Sequence, residues 1–270
     1  MDFKRIELIF LCAFLSLNIF LLVTYRQGMI ETAPIPETGN LAQIETRLKG
    51  DKIAFNKSFS QEVSEGYYLS AQGTRFPGTT NLAGNQDTRL NRRLTSSEQV
   101  PFTKSEANQE LLNLVTKDDF ILYSKDYGFL NESLPDSTKY VFTQKFEGLP
   151  FNDESSELSL EVEEMSPAES LVIGYSQSHL TEIDPLREKQ EVISESAAIE
   201  NLYLNNRIPS ESKILKTQLA YSRIFTVRGK NVYIPAWFIW IETNKKNILV
   251  ERINGFTNSI ISSSVPEMKK

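Results

Sequence analysis

Histidine and cysteine each occur once in this 270-residue chain, as His179 and Cys12. A single cysteine excludes an intramolecular disulfide. A single histidine leaves any zinc site dependent on carboxylates, against the usual ligand chemistry. Cys12 lies inside the longest apolar run, so no thiol nucleophile stands in the rest of the chain. No G-x-S-x-G, H-E-x-x-H, P-loop or C-x-x-C pattern is present, and none of the patterns that hold a cofactor. Basic charge is short too: 29 Lys and Arg face 35 Asp and Glu, a formal net charge of −6. Setting aside the charges that flank the apolar run leaves 26 bases against 33 acids, about −7. An acidic body of this kind argues against nucleic acid as a partner and against lying flat on anionic lipid. Hydrophobic residues are plentiful at 40%, with 10% aromatic, enough to build a packed core.

The apolar run is "KRIELIFLCAFLSLNIFLLVTYR", residues 4–26. Residues 8–25 carry no charge, 18 positions in all. As a helix they would reach about 27 Å, close to the roughly 30 Å of a hydrocarbon core. The apolar part of a cleaved signal is shorter, about 7 to 15 residues. The sequence that follows, "VTYRQGMIE", has no A-x-A site, and Leu11 before Cys12 does not suit lipoprotein processing. The expectation is an uncleaved anchor: a cytoplasmic start over 1–7, a transmembrane helix over 8–25 and a Pro-containing linker over 26–40. Lys4 and Arg5 precede the helix and only Arg26 follows it, which favours a cytoplasmic N-terminus and an extracytoplasmic body in a single-pass protein of the cell membrane. Within the helix, Cys12 and Ser16 share a face beside Ala13, a weak small-xxx-small pattern. Asn18 points about 200° away from Ser16, at about 100° per residue. An amide in hydrocarbon is costly unless it bonds a neighbouring helix. Cys12, Ser16 and Asn18 are therefore the candidate transmembrane interaction residues. The alternative is that Ser16 bonds its own i−4 carbonyl and Asn18 sits in a hydrated region.

The rest reads as an α+β body with antiparallel sheets and packed helices, divided into lobe 1 over 41–138 and lobe 2 over 139–270. "NLAQIETRLKG" has helical spacing at Leu41, Ile44 and Leu48. "DKIAFNKSF" and "EGYYLSAQG" read as short strands. Residues 73–100 are polar and turn-rich, a long loop in which Arg89, Arg92 and Arg93 form a solvated run. "KSEANQELLNLVTKD" reads as a helix with Ser105 as N-cap and a stripe of Leu111, Leu112 and Val115. In the second half, "KYVFTQKFEG" and "ESLVIGYSQSH" read as strands. "SELSLEVEEM" alternates strictly, the mark of a half-buried strand with an acidic outer face. "PLREKQEVISESAAIENLYLNN" reads as a helix with Pro185 near its start. Three further strands follow, "NKKN" closing the last two as a hairpin.

Reactive constellations are scarce. His179 has Ser176, Ser178, Glu182 and Asp184 nearby, but serine is abundant and a surface loop is the simpler reading. "NDESSE" at 152–157 lacks the spacing and central glycine of an EF-hand and reads as a turn. Trp237, Phe238 and Trp240 read as core and sheet-face residues. An anchored acidic body without a reactive cluster points to binding and regulation. An extracytoplasmic ligand-binding sensor or a tethered cell-wall enzyme are the alternatives.

The opening, above all its "SLNIFLL", together with the late "NVYIPAWFIWIE" and "INGFTNSII", resembles the YycI family, also called WalI, of Gram-positive Firmicutes. The resemblance implies two α+β lobes on one transmembrane helix and a non-enzymatic regulator of the WalK–WalR (YycG–YycF) two-component system, which controls cell-wall metabolism. It implies two partners within the lipid bilayer, the sensor histidine kinase WalK (YycG) and the sister protein YycH. No catalytic, metal or cofactor residue carries over. The positions that do are residues 14–22, with Asn18 among them.

Overall fold

Apolar alternation makes strands of most of the body, and pairing sorts these strands into two seven-stranded sheets and one two-stranded ribbon. The computed structural model describes residues 10–22, 41–78, 88–117, 120–130 and 140–261. The first element, α1, is helical over residues 10–22. After it come α2 (Leu41–Gly50), β1 (Ala54–Phe55), β2 (Ser64–Gly66), β3 (Leu69–Gly73), β4 (Arg89–Arg93), β5 (Val100–Thr103) and α3 (Ala107–Val115). The middle of the chain supplies β6 (Tyr127–Phe129), β7 (Tyr140–Phe146), β8 (Leu149–Pro150), β9 (Glu157–Glu164), β10 (Glu169–Ser178), β11 (Leu180–Pro185) and β12 (Gln190–Val192). The last part is α4 (Glu195–Leu204), β13 (Lys213–Val227), β14 (Lys230–Glu242), β15 (Ile248–Asn254) and β16 (Ile260–Ile261).

The first sheet runs β1-β13-β14-β15-β16, with β3 joining β14 to β11. Its frame is the long β13–β14 hairpin. Ile214, Ile239, Ile241 and Ile253 on one face pack against Ile44 and Leu48 of α2 and Ile199 and Leu202 of α4. Helices of ten residues are marginal alone in water. This burial, worth about 1.5–3 kcal/mol per large aliphatic side chain, holds them. The second sheet runs β4-β10-β9-β7-β6, with β5 on β10 and β8 on β7. Leu111, Leu114 and Val115 of α3 cover it and meet Phe142, Leu158, Leu160 and Val172. Both sheets are mainly antiparallel; β1 pairs with β13 in parallel.

Several sequence expectations shift. The Arg-rich stretch expected as loop is strand β4, paired residue for residue with β10 from Arg89↔Ser178 to Arg93↔Gly174. Its side chains conceal the strand because they find polar partners: Arg89 Nε donates to Ser176 Oγ at 2.7 Å, and Arg92 Nη2 to Glu98 Oε1 at 2.6 Å. Helix α4 begins at Glu195, not near Pro185, because Gln190–Val192 pairs with β2 and Ser194 caps the helix by accepting the Ala197 N–H. Ser105 does not cap α3; a 3₁₀ turn over Lys104–Glu106 precedes it. On α3 the buried stripe is Leu111, Leu114 and Val115, while Leu112 faces out. The expected lobe boundary at 138/139 falls inside the second sheet, between β6 and β7. The first sheet combines β1, β3 and β11 with β13–β16, so strands far apart in sequence share one layer.

Residues 8, 9 and 23–25 of the expected span, and all of 1–7 and 26–40, lie outside the described residues. Among the described residues no helix is long and apolar enough to cross a membrane.

Candidate functional site

The two sheets meet where one strand changes allegiance. β10 belongs to the second sheet, β11 to the first, and His179 is the one residue between them. The preceding "SQSH" is polar, yet Gln177, Ser178 and His179 are all buried. Most polar groups there are matched, while Gln177 Oε1 is buried without a hydrogen-bond partner. Tyr127 Oη donates to the Ser178 carbonyl at 2.6 Å, and Gln177 Nε2 donates to the Leu122 carbonyl. The Gln144 side chain behaves like a strand edge: Nε2 donates to the Leu180 carbonyl at 2.9 Å, and Oε1 accepts the Leu180 N–H at 2.6 Å.

His179 is 6% exposed, a correction to the surface position expected for it. Its Nε2 lies 2.9 Å from Asp126 Oδ2 and its Nδ1 2.7 Å from Thr74 Oγ1. An ionised carboxylate only accepts, so Nε2 carries the proton and Nδ1 accepts from the threonine. Tyr123 stacks on the ring with centroids 4.2 Å apart. Burial lowers the His179 pKa below 6.5, against the pull of Asp126. Burial also raises the Tyr127 pKa. Ser176, Ser178, Glu182 and Asp184 do not form a triad with His179. Ser176 Oγ is taken by Arg89, Glu182 pairs with Lys230 at 3.0 Å, and Asp184 sits in the β11–β3 ladder.

A second link lies alongside. Phe151 forms an isolated parallel bridge with Tyr221 of β13, while its N–H donates to the Gln144 carbonyl of β7 at 3.0 Å. Leu69, Ala71, Leu180, Tyr221 and Tyr233 close around Phe151 as an apolar plug between the sheets. Beside it runs a polar chain. Asn231 Nδ2 donates to Tyr233 Oη at 3.1 Å, and Ser155 Oγ lies 2.5 Å from both that hydroxyl and Asp153 Oδ1. Arg223 Nε lies 3.3 Å from Asp153 Oδ2, and Nη2 donates to Glu154 Oε1 at 3.0 Å. Burial pushes the Tyr233 pKa up to about 12. The acids of 152–157 thus serve an inter-sheet ion pair and a 3₁₀ turn. Two clefts flank the junction. One, of about 520 Å³, is lined by Lys125, Asp126, Lys145 and Glu182; the other, of about 410 Å³, by Arg89, Ser178, Arg223 and Asn231.

The late residues that carried the family resemblance act as structural locks. Trp237 Nε1 donates to the Ile193 carbonyl at 2.8 Å, fixing the approach to α4. The Gly255 N–H donates to the Pro235 carbonyl at 2.8 Å. A Cβ on Gly255 would lie 2.8 Å from that oxygen and 2.7 Å from Val192 Cγ1, so only glycine fits. Phe238 and Trp240 are buried and stacked on the opposite sheet face, as expected for sheet-face residues.

On α1 the apolar side chains are exposed from Phe10 (73%) to Leu22 (58%). Cys12 is a free, exposed thiol. Ser16 Oγ donates to the Ala13 carbonyl at 2.8 Å, an i−3 bond rather than the i−4 bond weighed from sequence. Asn18 Nδ2 donates to the Phe14 carbonyl at 2.9 Å, leaving its carbonyl oxygen and second N–H outside this bond. Nothing in the sequence pointed to Gln144, Tyr127 or Arg223. Each is an ordinary strand residue until the pairing of distant strands brings it to the junction.

These features define a mixed α+β protein whose two sheets are coupled through a buried polar crossing, with an exposed apolar helix ahead of them. The chain belongs to the YycI family, whose model, described as YycI protein, matches residues 37–256. YycI is a regulatory family connected with the WalK (YycG) two-component system. Helix α1 precedes the matched residues. An uncharacterized protein from Eubacterium rectale, known from its crystal structure, is similar over 79% of this chain and 92% of its own, at 10% identity and a TM-score of 0.43. Among curated proteins nothing matches.

Proposed function

We propose that this chain is a membrane-anchored, non-enzymatic regulator of the WalK (YycG) sensor kinase that acts together with YycH. The observation that carries the proposal is the family match over residues 37–256. The apolar, outward-facing α1 supports a transmembrane helix over 8–25, with the N-terminus cytoplasmic and the body extracytoplasmic. Contacts to the kinase and YycH then run through that helix and the body, with cell-wall metabolism as the regulated output. Replacing residues 8–25 with an unrelated membrane span tests the helix contact. WalR-dependent transcription should change while the amount of membrane-bound protein holds; unchanged transcription overturns regulation through the helix.

The two clefts favour a second, compatible reading, a ligand-binding sensor. Their volumes fall within the about 300–1,000 Å³ range of small-ligand sites. Soluble fragments of isolated wall polymers should raise the melting temperature of the full chain. No shift at millimolar fragment removes this reading.

A further inference from the structure

The larger cleft at the junction, of about 520 Å³, takes walls from both sheets. Lys145 of β7 stands in the second sheet's wall and Glu182 of β11 in the first sheet's. Gln144 and Leu180, whose bonds join the sheets, line it as well. The Glu182 wall is built against local preference. Thr181 pairs with Gln72 and Asp184 with Ser70, so Glu182 and Ile183 together oppose Ala71. That is a β-bulge, and Glu182 holds its first position at φ 50°. Glycine is the usual residue there, because a Cβ strains a left-handed backbone. Strain of this kind gathers at binding sites, where bulges re-aim a side chain. Glu182 Oε2 pairs with Lys230 at 3.0 Å, but both side chains are about half exposed, so the pair adds little stability. Glu182 Oε1 lies outside that pair. The Lys145 wall carries a charge with no use in the fold. Tyr127 pairs with Gln144 and Gly128 with Thr143, so Asp126 falls opposite Lys145 in the continued register. Asp126 Oδ2 instead holds His179, and the lysine stem leans diagonally across Gly128. A Cβ at position 128 would lie 3.2 Å from Lys145 Cε and 3.4 Å from its Nζ. Lys145 has no ion-pair partner among the described residues.

We propose that this cleft binds a small zwitterionic ligand with the chemistry of a short peptide, its carboxylate on Lys145 and its amine on Glu182. The inference deepens the sensor reading and rests on it. The volume suits a small molecule. Charge decides between the two clefts. In the smaller one Arg223 already faces Asp153 and Glu154. In this one Lys145 lacks an anion, and Glu182 Oε1 is placed to accept a donor. Such a ligand would reach from β7 to β11 beside the Gln144 bridge. Binding would therefore fasten one sheet to the other.

The test uses the full chain in nanodiscs, with the soluble fragments of isolated wall polymers as probe. The second probe is the same fragments with their carboxylates converted to amides. The acid fragments should raise the melting temperature, and the amidated ones should lose most of that shift. Lys145→Met keeps the stem across Gly128 and removes the charge. It should weaken binding by about tenfold or more, as loss of a charge-assisted hydrogen bond does. The unliganded melting temperature of that variant should stay within about 2 °C of the parent. Glu182→Gly should weaken binding by about threefold or more, while its unliganded melting temperature holds or rises, because glycine relieves the bulge. Lys245→Met, on the β14–β15 hairpin, should leave binding unchanged. No shift with any fragment overturns the sensor reading and this site with it. A shift that survives amidation or Lys145→Met overturns this site alone and places binding elsewhere on the body. An unliganded Glu182→Gly that melts well below the parent makes the glutamate a structural residue and overturns the assignment too.

Discussion

The junction between the sheets makes a quantitative prediction at Gln144. Its side chain is 4% exposed and satisfies both backbone groups of Leu180, itself 1% exposed. Gln144→Leu keeps the volume and removes both bonds, leaving the Leu180 N–H and C=O buried without partners. Each orphaned group costs about 1–3 kcal/mol, and the added apolar burial offsets part of it. The net loss should be about 2–4 kcal/mol, a large share of the roughly 5–15 kcal/mol that holds a typical body together. At about 2–4 °C per kcal/mol for a body of this size, the melting temperature should fall by about 6–12 °C for a 3 kcal/mol loss. Urea unfolding of the full chain, followed by the fluorescence of Trp237 and Trp240, measures it. Leu186→Ala, at a 52% exposed site, is the control and should cost less than about 0.5 kcal/mol. A loss below about 1 kcal/mol for Gln144→Leu would show that the Leu180 groups find other partners. The side-chain bridge would then not be what joins the sheets.

Two further outcomes are expected. The folded His179 pKa is lowered by burial, so its neutral form favours folding. That contribution is fully present above about pH 6.5, the unfolded value, and is lost as pH falls through the folded value. Melting temperatures between pH 8 and pH 5 should therefore fall more for the parent than for His179→Gln, and equal slopes would contradict this. On α1, Asn18→Leu should weaken co-purification with WalK or YycH by about threefold, the effect of a typical interhelical hydrogen bond. Unaltered recovery would remove Asn18 as a contact.

Where side-chain pattern and burial agree, the sequence was legible. β9 alternates Leu158, Leu160 and Val162 against Ser159, Glu161 and Glu163, and it folds as a strand. The "NKKN" hairpin forms as its spacing implies. Where polar side chains satisfy one another, pattern misleads. β4 reads as loop because its arginines reach Ser176 and Glu98 across neighbouring segments. His179 reads as surface because Asp126, Thr74 and Tyr123 lie about 50 to 105 positions away in sequence. The start of α4 was misplaced because Gln190–Val192 pairs with a strand far upstream. The division between sheets was hidden for the same reason, since pairing at long range leaves no local periodicity.

The strand that passes from β10 through His179 to β11 gives the body a shared spar in place of a hinge loop. A tilt imposed on one sheet travels along covalent backbone into the other, with the Phe151 plug as a second strut beside it. The body is thus suited to carry a push or twist from one sheet into the other.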